Sequence, residues 1–145
     1  MSLPPIHVGY FMKQIHVVLE TTCNRELARY GITLPQMDIL FYLTFREREN
    51  GEIHQKDIEE FFNLSNPTVS GLIHRLEQKA LVRRKASELD GRCWSIVLTE
   101  KGRELGGWAI HHRDAMEDTM LAGFSTDEQV LLKNFLDRIL KNVTA

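Results

Sequence analysis

The residues best equipped for chemistry lie between 64 and 92. The run Leu64-Ser65-Asn66-Pro67-Thr68-Val69-Ser70-Gly71-Leu72-Ile73-His74-Arg75-Leu76-Glu77 separates into two faces if it is helical. At about 100° per residue, Val69, Leu72, Ile73 and Leu76 gather on one side and must meet a core. The opposite side is Pro67, Gly71, His74 and Gln78, flanked by Thr68, Ser70 and Arg75, with Glu77 at its edge. Small side chains let a helix backbone settle deep in a major groove, where Ser, Thr, Asn and Arg address phosphates and base edges. The same face also fits an ordinary solvated surface, and charge separates the two readings. Residues 65–92 carry six basic side chains (Arg75, Lys79, Arg83, Arg84, Lys85, Arg92) against three acidic ones (Glu77, Glu88, Asp90), a balance of +3. The formal net charge of the whole chain is −2, which leaves −5 for the rest. Positive charge concentrated on one stretch of an otherwise acidic chain is the footprint expected for nucleic acid.

These residues need elements to hold them. Ser65 as N-cap and Pro67 in the first turn open a helix running to about Lys79. A short amphipathic helix at about 55–62, with Ile58, Phe61 and Phe62 inward, precedes it across a break at Asn63-Leu64. After it the period falls to two: Trp94, Ile96 and Leu98 alternate with Ser95 and Val97, as in a half-buried strand. Val82–Lys85 is the expected partner strand, with Asp90-Gly91 in the turn between them. Two short helices and a hairpin of this kind make a helix-turn-helix with a wing.

Longer helices flank this unit. Residues 7–29 place Val8, Phe11, Met12, Ile15, Val18, Leu19 and Leu27 mostly at helical spacing, ending before Gly31. Thr33-Leu34-Pro35-Gln36 opens a second helix with a capping box, and Met37, Ile39, Leu40, Phe41, Leu43 and Phe45 make it apolar on most sides. It runs to about Arg48, before a turn at Asn50-Gly51. A helix of about twenty residues follows Thr99, Gly123 interrupts near its end, and Ser125 caps a terminal helix. That last helix bears Leu131, Leu132, Phe135, Leu136, Ile139, Leu140 and Val143. The stripe is wider than a monomer of this size needs to cover, which calls for a second copy.

Composition excludes several classes. The chain has 145 residues, 43% hydrophobic and 26% charged, ordinary values for one globular domain. Its apolar runs fall far short of the roughly 20 residues of a membrane span, and Pro4 and Pro5 precede a charged, amphipathic stretch unlike a secretory signal. Two cysteines, Cys23 and Cys93, argue for a reducing cytoplasm and no disulfide scaffold. The sequence contains no Gly-rich phosphate loop, no G-x-S-x-G elbow and no H-E-x-x-H, and Gly106-Gly107 sits inside a helical pattern with no strand before it. An enzyme is not expected, nor is a cofactor.

The run from Leu64 to Glu77 resembles the recognition helix of the MarR family of bacterial transcriptional regulators. Asp90-Gly91-Arg92 is similar to that family's Asp-x-Arg wing signature, and Leu98-Thr99-Glu100-Lys101-Gly102 to the segment ending its second wing strand. Order and spacing match in all three, and the flanking helices extend the resemblance over nearly the whole chain. It implies a mainly α fold with a small β wing, one MarR-like domain over 1–145. The winged helix-turn-helix lobe would occupy 33–99 and the dimerisation helices 5–30 and 100–144. It further implies a homodimer on a pseudo-palindromic operator, acting as an effector-responsive repressor. Ser65, Asn66, Pro67, Thr68, Ser70, Gly71, His74 and Arg75 would contact DNA from the helix, with Arg84 and Arg92 from the wing. Asp90 would hold the wing in shape by pairing with Arg92 or Arg84, and one or two of Arg83, Arg84 and Lys85 would simply be solvated.

Two positions depart from the family pattern. Ala80 stands where the family usually has Gly after the recognition helix, and His54 where Ser or Thr commonly begins the third helix. Relatives also bind small aromatic carboxylates between the dimer helices and the lobe. Met12, His16, Tyr42, Phe45 and Trp108 would line such a space, or serve equally as core. Cys23 lies too late in the first helix to match the family's peroxide-sensing branch and reads as a buried, inert thiol; Cys93 reads as incidental. His111 and His112 point about 100° apart and cannot easily share one ion; His111 with Asp114, helped by Cys23 or His16, is the weaker metal reading. The remaining alternative is a winged helix that binds protein without an operator, which an acidic or apolar reading face would have favoured.

Overall fold

The computed structural model describes residues 6–49 and 51–144; Pro4, Pro5 and Asn50 lie outside them. The chain divides into two compact units, Met1–Ala109 and Ile110–Ala145.

In the first unit, helix α1 (Val8–Leu27) passes into a 3-10 turn at Ala28–Tyr30, which Gly31 ends in the left-handed region at φ 69°. Helix α2 (Leu34–Glu47) begins as its sequence demands, with Pro35 in the first turn and the Thr33 N–H donating to Gln36 Oε1 at 3.3 Å. Asn24 of α1 reaches across to accept the Leu34 N–H at 2.8 Å, so one more open donor of the first turn is satisfied. Met37, Ile39, Leu40 and Leu43 are fully buried and form the centre of the lobe with Ile58, Ile73 and Leu76. Phe45, expected with them, is exposed.

Helices α3 (Gln55–Phe62) and α4 (Asn66–Gln78) are joined through Asn63, which takes the left-handed conformation at φ 52°. His54 begins α3 in place of Ser or Thr, its N–H donating to Asp57 Oδ2 at 2.8 Å. Of the three residues expected to face inward, Ile58 is buried, Phe62 half-buried and Phe61 65% exposed. An eight-residue helix turns one narrow stripe to the core. Phe62 lies about 40° from Ile58 and Phe61 about 60°, so Phe61 is left outside, its ring 4.7 Å from Tyr42 and 4.9 Å from Phe62.

Helix α4 ends in two tightly paired bonds, Leu81 N–H to Leu76 O at 3.0 Å and Ala80 N–H to Glu77 O at 2.9 Å. That pattern needs a left-handed residue at its centre, normally Gly, and Ala80 adopts it at φ 58°. The cap is complete, but an L side chain pays a steric cost there. Ala80→Gly is therefore expected to raise stability by about 1 kcal/mol and the melting midpoint by about 3 °C; a lowered midpoint in a thermal scan would contradict this.

The wing is an antiparallel pair, β1 (Val82–Ala86) and β2 (Trp94–Leu98), in register from Val82↔Leu98 to Ala86↔Trp94. The free edge of β2 also takes the segment before α3, with the Ile96 N–H donating to Ile53 O at 2.7 Å and a bridge between His54 and Ser95. Ile96 and Leu98 face the core as expected, but Trp94 is 56% exposed and Ser95 buried. Ser95 sits mid-strand between two backbone neighbours that cover it, whereas Trp94 lies at the outer end of the strand, opposite exposed Ala86.

Helix α5 (Glu100–Met120) opens with the Gly102 N–H donating to Thr99 Oγ1 at 3.0 Å, and the same hydroxyl donates to Ala80 O. The boundary between the two units falls within α5. In the second unit Gly123 turns the chain at φ 85°, and Ser125 and Glu128 exchange backbone and side-chain bonds at 3.1 Å each. That is the expected capping box for α6 (Thr126–Thr144), which contains no buried residue.

Candidate nucleic-acid interface

Helix α4 divides as its spacing requires. Val69, Leu72, Ile73 and Leu76 are buried, while Pro67, Thr68, His74, Arg75 and Gln78 are exposed and Ser70 and Gly71 half-exposed. Ser65 caps the helix by accepting the Thr68 N–H at 3.4 Å, and its hydroxyl also meets Thr68 Oγ1 at 2.9 Å. Asn66 fixes the angle between the two short helices: its amide donates to Glu59 Oε2, and its carbonyl accepts from Gln55 Nε2, both at 3.5 Å. The sequence-selected residues of α4 thus form one exposed, small and polar face.

The basic residues are sorted by what surrounds them. Lys79 turns inward, donating to Gln36 Oε1 at 2.7 Å. Strand alternation splits the Arg83-Arg84-Lys85 triplet between the two faces of β1. Arg84 meets Glu77 of α4 at 2.9 Å, tying the wing to the helix. Arg83 and Lys85 line a cleft of about 280 Å³ with Glu47, Glu88 and Arg103, where Arg103 pairs with Glu47 at 2.7 Å and Lys85 with Glu88 at 3.7 Å. Arg92 is different. Its side chain is 95% exposed at the tip of the wing, and its nearest acidic neighbour is Asp90 at 3.7 Å. Asp90 pairs with Arg92 and not with Arg84, and its Oδ1 also accepts the Arg92 N–H at 3.0 Å. Its carboxylate therefore shapes the turn from which Arg92 projects.

Sequence reasoning missed the anchor beneath this turn. Glu52, between α2 and α3, accepts from Ser87 Oγ, from the Glu88 N–H at 2.6 Å and from His54 Nε2 at 2.9 Å. The Ser87 hydroxyl, then the Glu88 amide, hold the Glu52 carboxyl below its ordinary range. This network is accordingly present at neutral pH and weakens as the carboxyl protonates in acid. No local pattern marks Glu52; Ser87, three residues before Asp90, carries a weak turn signal.

The other candidates are dispersed. Cys23 is buried and Cys93 exposed. Among the described residues no three His, Cys, Asp or Glu side chains gather as a metal-binding group. Of the five residues expected around an effector, Tyr42 is buried against Phe61 and Phe62, Met12 is half-buried, and Phe45 and His16 are exposed, His16 beside Glu20 at 3.3 Å. Trp108 meets Tyr30 in a tilted ring pair at 4.5 Å, and the two line a cavity of about 360 Å³ with Leu105, Lys101 and Glu104.

A two-helix reader braced by an antiparallel wing defines a winged helix-turn-helix protein. Residues 30–92 match the family model described as "MarR family". The chain is 30% identical over 129 residues to the uncharacterized HTH-type transcriptional regulator YwoH of Bacillus subtilis, covering 89% of this chain and 90% of that one. It is 24% identical over 143 residues to the HTH-type transcriptional regulator PecS of Dickeya dadantii, covering 99% and 86%. The S. aureus MepR–DNA complex superposes with a TM-score of 0.87 at 27% identity, over 94% of this chain and 96% of that one. The chain belongs to the MarR family of transcriptional regulators.

Proposed function

We propose that two copies of this chain bind one pseudo-palindromic operator and repress transcription from it. The observation that carries this reading is the exposed polar face of α4 in the same lobe as a fully projecting Arg92. Small residues at Ser70 and Gly71 admit the helix to a major groove, with Thr68, His74 and Arg75 placed for base edges and phosphates. Arg92 reaches the adjacent minor groove or its phosphates, where a narrow groove concentrates negative potential. The solved likeness to a complex of another family member with DNA supports the same placement. Arg84, engaged by Glu77, contributes by aligning wing and helix.

Dimerisation rests on exposed apolar surface. Helix α1 presents Val8, Phe11, Ile15 and Val18, each at least half exposed, and α6 presents Leu131, Phe135, Leu136 and Leu140. Such stripes on single elements are stable in water only when covered, and a two-fold pairing covers both copies with one surface. It also sets two reading helices about 34 Å apart, one turn of DNA. Among the described residues no helix is long and apolar enough to cross a membrane. Regulation by a small aromatic effector fits the Tyr30–Trp108 cavity; a ligand favouring a lobe spacing that mismatches the operator would release it.

Gel shifts with the protein's own upstream region at two salt concentrations test this reading. Arg92→Ala is expected to lower affinity and reduce the salt slope by about 1, with the melting midpoint unchanged. Retention of full affinity at moderate salt would overturn the wing assignment. Turnover detected in an enzymatic screen, or no shift with any upstream fragment, would overturn the function itself.

A further inference from the structure

The wing tip is held by a chain of bonds that begins outside the wing. Glu52 lies 35 residues before Ser87, yet its carboxylate accepts a hydrogen bond from the Ser87 hydroxyl. A hydroxyl has one proton and two lone pairs. With the proton committed to Glu52, the lone pairs of Ser87 Oγ face the Leu89 and Asp90 N–H groups at 3.1 and 3.0 Å. Asp90, positioned in this way, accepts the Arg92 N–H and pairs with its guanidinium. The second Glu52 oxygen takes the Glu88 N–H, and the Ser87 N–H closes the loop on Cys93 O at 3.2 Å. Ser87 is buried although it opens a surface loop. The oxygen that accepts the Ser87 hydroxyl also receives His54 Nε2, from the residue that begins α3. One carboxylate therefore joins the start of the helix-turn-helix to the base of the wing loop.

We infer that Glu52 is a positioning residue for nucleic-acid recognition: through Ser87 and Asp90 it fixes the 87–93 loop so that Arg92 projects toward the duplex read by α4. The inference rests on the operator-binding reading above. A carboxylate repels phosphate, so Glu52 serves binding through the presentation of Arg92 and not by contact with the backbone. Without the carboxylate, the Ser87 proton and the Glu88 N–H lose their acceptor, and Ser87 is free to rotate away from Leu89 and Asp90.

A double-mutant cycle tests this. Wild type, Glu52→Ala, Arg92→Ala and the double variant are titrated with the upstream fragment across a salt series, and amide exchange is followed in each free protein. Glu52→Ala is expected to weaken binding about tenfold in the wild-type background and less than twofold once Arg92 is absent. Exchange should accelerate in the 87–93 peptide while α4 stays protected. An equal loss in both backgrounds, or unchanged exchange in 87–93, would overturn the inference. If wild type gives no shift, or Arg92→Ala binds like wild type, the operator or wing reading fails instead. The exchange result then still decides whether Glu52 orders the loop.

Discussion

Leu136→Glu together with Leu140→Glu is expected to turn the protein into a monomer and remove its binding to the upstream fragment. Both leucines are exposed on α6, which buries none of its own residues. In the proposed two-fold dimer each substitution falls twice in the interface, so four leucines are replaced by four carboxylates. Burying a leucine contributes about 1.5–3 kcal/mol, and a desolvated, unpaired carboxylate adds a further penalty. Association should weaken by at least on the order of ten-thousandfold. Circular dichroism should show helical content retained, because both side chains are exposed on their own protomer. A variant that remains dimeric at micromolar concentration, with native affinity for DNA, would show that this stripe is not the interface.

The second large effect concerns α5. A Cβ added at Gly102 would sit 2.0 Å from the carbonyl oxygen of Leu81 and 3.2 Å from Leu98 Cδ2. That carbonyl cannot retreat cheaply: it accepts the Thr99 N–H at 3.1 Å, while the Leu81 amide closes the α4 cap. Gly102→Ala is expected to cost about 2–3 kcal/mol despite the better helix propensity of alanine. Gly107, five residues further along the same helix, has nothing within 4 Å of its added Cβ. Gly107→Ala should therefore gain up to about 1 kcal/mol. Urea midpoints that move in opposite directions confirm the close approach of α5 to Leu81; a shift of the same sign in both denies it.

The elements were legible wherever the signal is local. Thr33 and Gln36, Ser65 and Pro67, and Ser125 and Glu128 mark three helix starts, and the local cap bond of each is made, that of Ser65 with the Thr68 N–H. The buried face of α4 followed from spacing alone. What escaped depends on partners distant in sequence. Trp94 has the parity of a core residue, but it stands at the end of its strand and is exposed, while Ser95 is buried by a segment forty residues earlier. Phe61 lost its inward place to Phe62 by a small angular difference that only the packing of α3 resolves. Ala80 shows sequence preference yielding to context, since the cap bonds hold an alanine where glycine is preferred. In the candidate site the α4 face and the Asp90–Arg92 turn were readable, whereas the pairing of Arg84 with Glu77 and the Glu52 anchor were not.

The most direct test of the central claim is the protein mass in a complex with a single duplex carrying the upstream site, measured by light scattering at saturation. The expected value is twice the 16.8 kDa of one chain. A complex containing one chain, bound with full affinity and sequence preference, would contradict it.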